Sequence, residues 1–430
     1  MHRRYFVLIS LFLILAFPAR AQQLPQADTL LSLSALLREA LQANPALQAA
    51  RLQAAARATR PTQVGALPDP SFEAGYRPLA IGDVEGLAPA SAMLMQRVPF
   101  PGKLGLEAEA ARLEAEATAR EADALALRLA YALRTTYYEL YRLQETRRLI
   151  EDFQARLRAF AEAAAVRYEV GQGSQAAVLR VQLEQHRLTR QLLDLQGAWR
   201  ARCAQLIQLT GRTDLPDTAR LLPPEPPALL PAIPLEEAFR RHPEALALRL
   251  REDRARTLMR RARREYWPDF VVGVGLMDMM RMNQPVAPLS ALRDRFAIRV
   301  GVVLPLQRAR RSARVEETRL EARTLASRYQ DLRNLFESRW RALEARFAAD
   351  RANLALLEQT LIPEARTTRE ALLSAYTTGQ ASYLDLLDAE RALFELERQR
   401  VDTITRLLVT QAEAEQLLGL LPENINQTGE

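Results

Sequence analysis

Cysteine is nearly absent from this chain of 430 residues. A single copy, Cys203, excludes an intrachain disulfide framework and any cysteine-cluster metal site. Histidine is almost as scarce: His2, His186 and His242 are too few and too scattered for a histidine-based zinc centre. Glycine numbers 16 and aromatics make up 6%, so a β-rich globular fold is a poor fit. Beyond the first twenty or so residues no stretch is long and apolar enough for an inner-membrane helix. No glycine-rich phosphate loop follows a strand, and no Ser-His-Asp set or catalytic carboxylate pair stands out. The chain reads as a non-enzyme with no catalytic residue and no cofactor.

What is abundant is alanine, leucine, arginine and glutamate, all strong helix formers. A hydrophobic content of 48% excludes a disordered chain. The formal net charge is +7. Its basic residues alternate with acids along helices, the usual solvated face, so no nucleic-acid partner is implied. Arg3 and Arg4 precede an uncharged apolar run over residues 5–17, and Ala19-Arg20-Ala21 supplies a small-x-small cleavage pattern. This predicts an export signal over residues 1–21. No cysteine follows it, so no lipid anchor is expected there.

The mature chain repeats itself. Ala40-Leu41-Gln42-Ala43-Asn44-Pro45 matches Ala238-Phe239-Arg240-Arg241-His242-Pro243, and Leu67-Pro68-Asp69 matches Trp267-Pro268-Asp269. Tyr168-Glu169-Val170-Gly171 matches Tyr376-Thr377-Thr378-Gly379. The displacement of about 200 residues is too long for a solenoid and predicts two duplicated halves. These are residues 22–213 and 235–421, joined by a proline-rich linker over 214–234 and followed by a tail over 422–430.

Each half has one plan. A short amphipathic helix comes first, over residues 31–60 and 235–266. Two strand-like runs follow. Phe72, Ala74 and Tyr76 alternate with Ser71, Glu73 and Gly75, and residues 93–98 form a less regular second run. In the other half Phe270, Val272, Val274 and Leu276 alternate with small residues, as do Phe296, Ile298, Val300, Val302 and Leu304 with Ala297, Arg299 and Gly301. This pattern suits a strand between lipid and water, and equally a half-buried soluble sheet. Very long helices come next, over 103–169 and 308–376, each of about 100 Å at 1.5 Å per residue. Pro363 predicts a kink in the second. Glycine turns at Gly171 and Gly379 lead into return helices over 174–209 and 382–418, giving antiparallel coiled-coil hairpins.

Four strands cannot close a barrel, and open edges are not tolerated in lipid. Three chains would pool twelve strands, a size that leaves a lumen. Long helices from the same three chains would enclose a second tube. An adaptor or envelope spacer of periplasmic coiled coil is the alternative, and it has no need of a lipid-facing strand pattern.

The duplicated Asn-Pro helix, the Leu-Pro-Asp-Pro segment before the first strand and the paired Tyr-x-x-Gly turns resemble the TolC family of outer-membrane efflux ducts. Val98-Pro99-Phe100-Pro101-Gly102-Lys103 resembles the strand-to-helix junction of its heavy-metal efflux branch. The resemblance covers residues 31–421. It implies a mainly α chain with a membrane β part, assembled as a homotrimer with a twelve-stranded β-barrel and an α-helical barrel. It further implies an outer-membrane location extending into the periplasm, a periplasmic adaptor and an inner-membrane pump. The exported substrates would be metal cations or drugs.

The same resemblance places Asp385 and Asp388 at a periplasmic constriction. Three residues apart, they share a helix face, and threefold symmetry would make each a ring of carboxylates that attracts cations. By spacing alone they read as two solvated helix acids, and it is the resemblance that favours the constriction. Arg180, opposite Asp388 in the other half, is a candidate partner for either acid. Tyr168 and Tyr376 either brace the tips or pack in the seam. Gly171 and Gly379 supply left-handed turn residues, and the resemblance adds contact with the adaptor's helical hairpin. Met277, Met279, Met280 and Met282 are expected in the loop between the last two strands, with Met93 and Met95 in the matching hairpin. Thioethers suit Cu(I) or Ag(I), yet methionine is also adaptable filler, and no metal site is assigned.

Overall fold

A computed structural model describes residues 30–76, 88–169, 175–213, 220–280 and 296–421. The export signal, Gly171, Met282 and the tail lie outside the described residues. Strand β1 (Leu30–Leu31) leads into α1 (Leu33–Ala43), α2 (Pro45–Ala58) and α3 (Arg60–Gly65). Strands β2 (Ser71–Tyr76) and β3 (Ala88–Val98) precede α4 (Lys103–Glu169) and α5 (Gln175–Thr210). After β4 (Arg220–Leu221) the order returns: α6 (Leu235–Arg241), α7 (Pro243–Arg264), β5 (Asp269–Met280), β6 (Phe296–Val303), then α8 (Arg308–Leu356), α9 (Ile362–Thr377) and α10 (Tyr383–Leu417).

The first amphipathic segment of each half is not one helix. It breaks at Asn44 and at His242, whose ψ angles are 120° and 130°. Pro45 and Pro243 force this, because proline bars the preceding residue from helical geometry. Each breaking residue then caps the next helix. The Asn44 side-chain oxygen accepts from the Ala46 and Leu47 N–H groups at 3.0 and 3.1 Å, and His242 Nδ1 accepts from the Glu244 N–H at 3.3 Å.

Helix α4 runs unbroken for 67 residues, about 100 Å. Its counterpart is interrupted by a π turn over Leu357–Leu361. Pro363 follows directly, lacks an N–H, and would clash with the preceding turn of a regular helix; one wider turn accommodates it.

Among the described residues four apolar clusters hold the helices, two of them the largest. Where α1 and α2 pack on the middle of α4, Leu36, Leu47, Leu133, Leu140, Leu206 and Leu408 are buried together. Toward the hairpin ends Phe153, Leu157, Val181, Leu386 and Phe394 do the same, with the Phe153 and Phe394 rings stacked at 5.1 Å. Fully burying each such side chain contributes roughly 1.5–3 kcal/mol. Inside the proline-rich stretch, β4 pairs in parallel with β1. The Tyr137 hydroxyl sits 3.0 Å from the Leu31 carbonyl and 2.9 Å from that of Leu222, donating between them. Burial pushes this hydroxyl up to about 12.

The remaining strands form one antiparallel sheet in the order β2-β3-β5-β6. Strand β3 begins at Ala88, well before residue 93, because it pairs with β5 from Ala88↔Met280 to Val98↔Phe270. Consequently Met277, Met279 and Met280 are not loop residues. They belong to β5, and Met93 and Met95 to β3. The ladder overrides the reading of a methionine-rich loop.

Candidate functional site: one-faced sheet, junction and hairpin tip

The register sorts the sheet into two chemically distinct faces. Phe72, Leu94, Val274 and Ile298 are aligned across the four strands. Val272 with Val300, and Leu276 with Phe296, lie on the same face. All are exposed in the single chain, from 41% for Val272 to 69% for Ile298. The opposite face is mixed: it carries Ser71, Glu73, Gly75, Ser91, Arg97, Gly273, Gly275, Arg299 and Gly301, with Met93, Met95 and Val271 among them. Gln96, paired with Val272, interrupts this face, yet an apolar face of this extent is rarely left to water in a soluble monomer. Among the described residues, strands β2 and β6 end the sheet with unpaired edges.

Sheet and helices meet at a clamp on Asp269. Its carboxylate accepts from Lys103 Nζ at 2.7 Å, Arg97 at 2.9 Å and the Phe100 N–H at 3.0 Å. One side chain thus ties the end of β3, the turn and the start of α4 to the first residue of β5. The Phe100 and Trp267 rings stack beside it at 5.2 Å. Gly102 sits at φ +83°, and a Cβ there would lie 1.3 Å from the Arg264 guanidinium. The backbone angle demands glycine, and a Cβ there would also displace the Arg264 guanidinium. Sequence reading singled out the Pro-Asp motif and the junction without seeing that one grips the other.

At the far end, α9 closes with a left-handed glycine. Gly379 has φ +78°, and beyond its chain neighbours no atom lies within 4 Å of where a Cβ would sit. The Gln380 N–H donates to the Ala375 carbonyl at 2.8 Å and the Gly379 N–H to that of Tyr376 at 3.1 Å. This pair of hydrogen bonds ends a helix sharply. Tyr376 is buried, its ring edge-on to Tyr383 at 6.1 Å, so it packs in the seam. Burial also pushes the Tyr383 hydroxyl upward. The side chain of Tyr168 lies outside the described residues.

The two acids differ in kind. Asp385 caps its own helix: its carboxylate accepts from the Ser382 N–H at 3.1 Å and the Ser382 hydroxyl at 2.7 Å, while Ser382 Oγ accepts from the Asp385 N–H. Asp388 is 75% exposed, with Arg391 at 3.5 Å. Arg180 is exposed and pairs with neither acid among the described residues. The capping hydroxyl occupies Asp385, and Arg391, one turn along α10, is the nearer cation for Asp388.

Sequence reading missed the charges that join the two hairpins. Glu390 is buried, with Arg156 of α4 at 3.0 Å and Arg369 of α9 at 4.0 Å. Glu184 of α5 is held by Arg391 of α10 and by Arg187. A signal was present: Glu390 stands three residues after Leu387 and three before Leu393, in line with the buried stripe.

No family model matches the chain. A crystal structure of CusC, whose description concerns transmembrane channel formation, superposes with a TM-score of 0.78 at 16% identity, over 90% of this chain and 92% of that one. The chain shares the fold of this structure. The outer membrane protein VceC of Vibrio cholerae, with a TM-score of 0.74, is 20% identical over 90% of this chain and 96% of its own. In sequence, 191 residues are 25% identical to the cobalt-zinc-cadmium resistance protein CzcC of Cupriavidus metallidurans, 43% of this chain and 42% of that protein. The chain therefore aligns with less than half the length of this curated relative.

Proposed function

We propose that the protein is the outer-membrane duct of a tripartite efflux system, working with a periplasmic adaptor and an inner-membrane pump. The exposed apolar face of β2-β3-β5-β6 carries this reading, because only lipid satisfies that face without covering it with protein. The two open edges are satisfied if three copies pool their strands into a barrel of twelve. The polar face then lines a lumen, and the helical hairpins continue it across the periplasm. The likeness to CzcC favours divalent metal cations as the exported class. A periplasmic spacer or adaptor has no use for such a face.

Within this reading Asp388 is the cation-attracting group of the constriction and Asp385 its structural neighbour. Tyr376 supports the seam. Gly379, with Gly171 as its sequence counterpart in the first half, is the contact for the adaptor, since its own position carries no side chain. The methionines of β3 and β5 serve as strand residues in this scheme, with no metal assigned to them.

Fractionation of cells, followed by unheated and heated gel migration of the detergent-extracted protein, tests the proposal. It requires the protein in the outer-membrane fraction, migrating as a trimer until heated. A soluble, monomeric mature protein would overturn it.

A further inference from the structure

Eight arginines gather at the foot of the sheet. Arg260, Arg261, Arg263 and Arg264 close α7, and Arg308, Arg310, Arg311 and Arg314 open α8, with no acid inside either run. The two runs touch: Arg311 donates to the Glu265 carbonyl at 2.7 Å. Five of the eight are engaged within the chain. Arg260, Arg261 and Arg314 pair with Glu109, Glu107 and Glu317, while Arg264 and Arg311 hold backbone carbonyls. Arg263, Arg308 and Arg310 are exposed and have no ion pair among the described residues. Arg263 sits in the last turn of α7, where the dipole favours a cation, but helix energetics do not account for Arg308 and Arg310, since the start of α8 is the end of the dipole that disfavours cations.

Their place in the fold does. Helix α7 ends at residue 264, just before β5 begins at Asp269, and α8 begins at residue 308, just after β6 ends at Val303. Between arginines and sheet lie Trp267, Leu304 and Leu306, exposed by 57%, 64% and 81%. From the strands downward the order is therefore apolar face, exposed tryptophan and leucines, then unpaired arginines. This is the sequence of chemistries met in passing from acyl chains through the interfacial zone to phosphate.

We propose that Arg263, Arg308 and Arg310 bind the anionic headgroups of phospholipids in the periplasmic leaflet and fix the depth at which the sheet sits. The inference rests on the outer-membrane reading above. Charge complementarity and continuity with the apolar face select lipid as the occupant, and Trp267 is the reporter beside it.

Quenching of tryptophan fluorescence by brominated lipids tests the assignment on the full-length protein reconstituted in vesicles. Trp199 and Trp340 lie far along α5 and α8 and contribute a constant background. Brominated phosphatidylglycerol is expected to occupy sites near Trp267 with about tenfold preference over brominated phosphatidylcholine. The combined change Arg263→Gln, Arg308→Gln and Arg310→Gln should bring the ratio to about one while quenching by phosphatidylcholine persists. An equal ratio for the unaltered protein would overturn the headgroup site and leave the membrane reading standing. Absence of quenching by either lipid would overturn the membrane reading itself. Loss of the preference in excess inorganic phosphate at matched ionic strength would make this a free-anion site and overturn the assignment to lipid.

Discussion

The side-chain amide of Asn44 donates to the Leu209 carbonyl at 3.0 Å across 165 residues of chain. The same side chain caps α2 with its oxygen, so one residue fixes both the break between α1 and α2 and the end of α5. Asn44→Ala removes the cap and strands a carbonyl, at a cost of about 2 kcal/mol. Thermal or denaturant unfolding in detergent should show the loss, and Asn44→Asp should restore only the capping share.

His242 is the counterpart in the second half and makes that half acid-sensitive. Burial lowers its pKa, and its Nδ1 serves as acceptor for the Glu244 N–H. A depressed folded value means stability is fully present above the unfolded histidine value of ~6.5 and drains away as pH falls through the folded one. Melting temperatures measured between pH 8 and pH 5 should fall on the acid side. His242→Asn, copying Asn44, should flatten that fall; an unchanged slope would assign the sensitivity elsewhere.

Asp269 joins the sheet to the helices through three donors. Asp269→Ala leaves Lys103, only 12% exposed, without its carboxylate and is expected to cost about 3 kcal/mol. Hydrogen exchange should rise at residues 97–103 before it rises elsewhere. Exchange that stays level there would show that stacking of Phe100 on Trp267 holds the junction unaided.

The tip prediction turns on Gly379. Any L-residue at its positive φ costs roughly 1–2 kcal/mol, but the space around it is open. Gly379→Trp should therefore leave the trimer intact on unheated gels while abolishing cross-linking to the adaptor and efflux. Persisting efflux would move the docking surface away from the tip.

The two acids near the tip are expected to separate experimentally. Asp385→Ala breaks a reciprocal cap and should lower stability by about 1 kcal/mol. Asp388→Ala should leave stability unchanged but, in planar bilayers, remove cation preference and block by multivalent cations from the periplasmic side. If Asp388→Ala conducts and blocks like the unaltered trimer, Asp388 returns to being a solvated helix acid.

The sequence by itself determined the elements whose signal is local. Unbroken helix formers marked α4, alternation marked β5 and β6, Pro363 marked the interruption that became a π turn, and Gly379 marked the hairpin turn. Asn44-Pro45 and His242-Pro243 were legible as a repeated pair, though the helix break they impose was not foreseen. Tertiary structure decided whatever depends on partners distant in the chain. Pairing of β3 with β5 drew the methionines out of a loop. Ser382 took Asp385, Arg391 took Asp388, and burial turned Glu390 from one more charged helix residue into a link between hairpins. Periodicity records which face a residue occupies, but a carboxylate's role depends on the cation folding brings to it, and that distance is written in no local pattern.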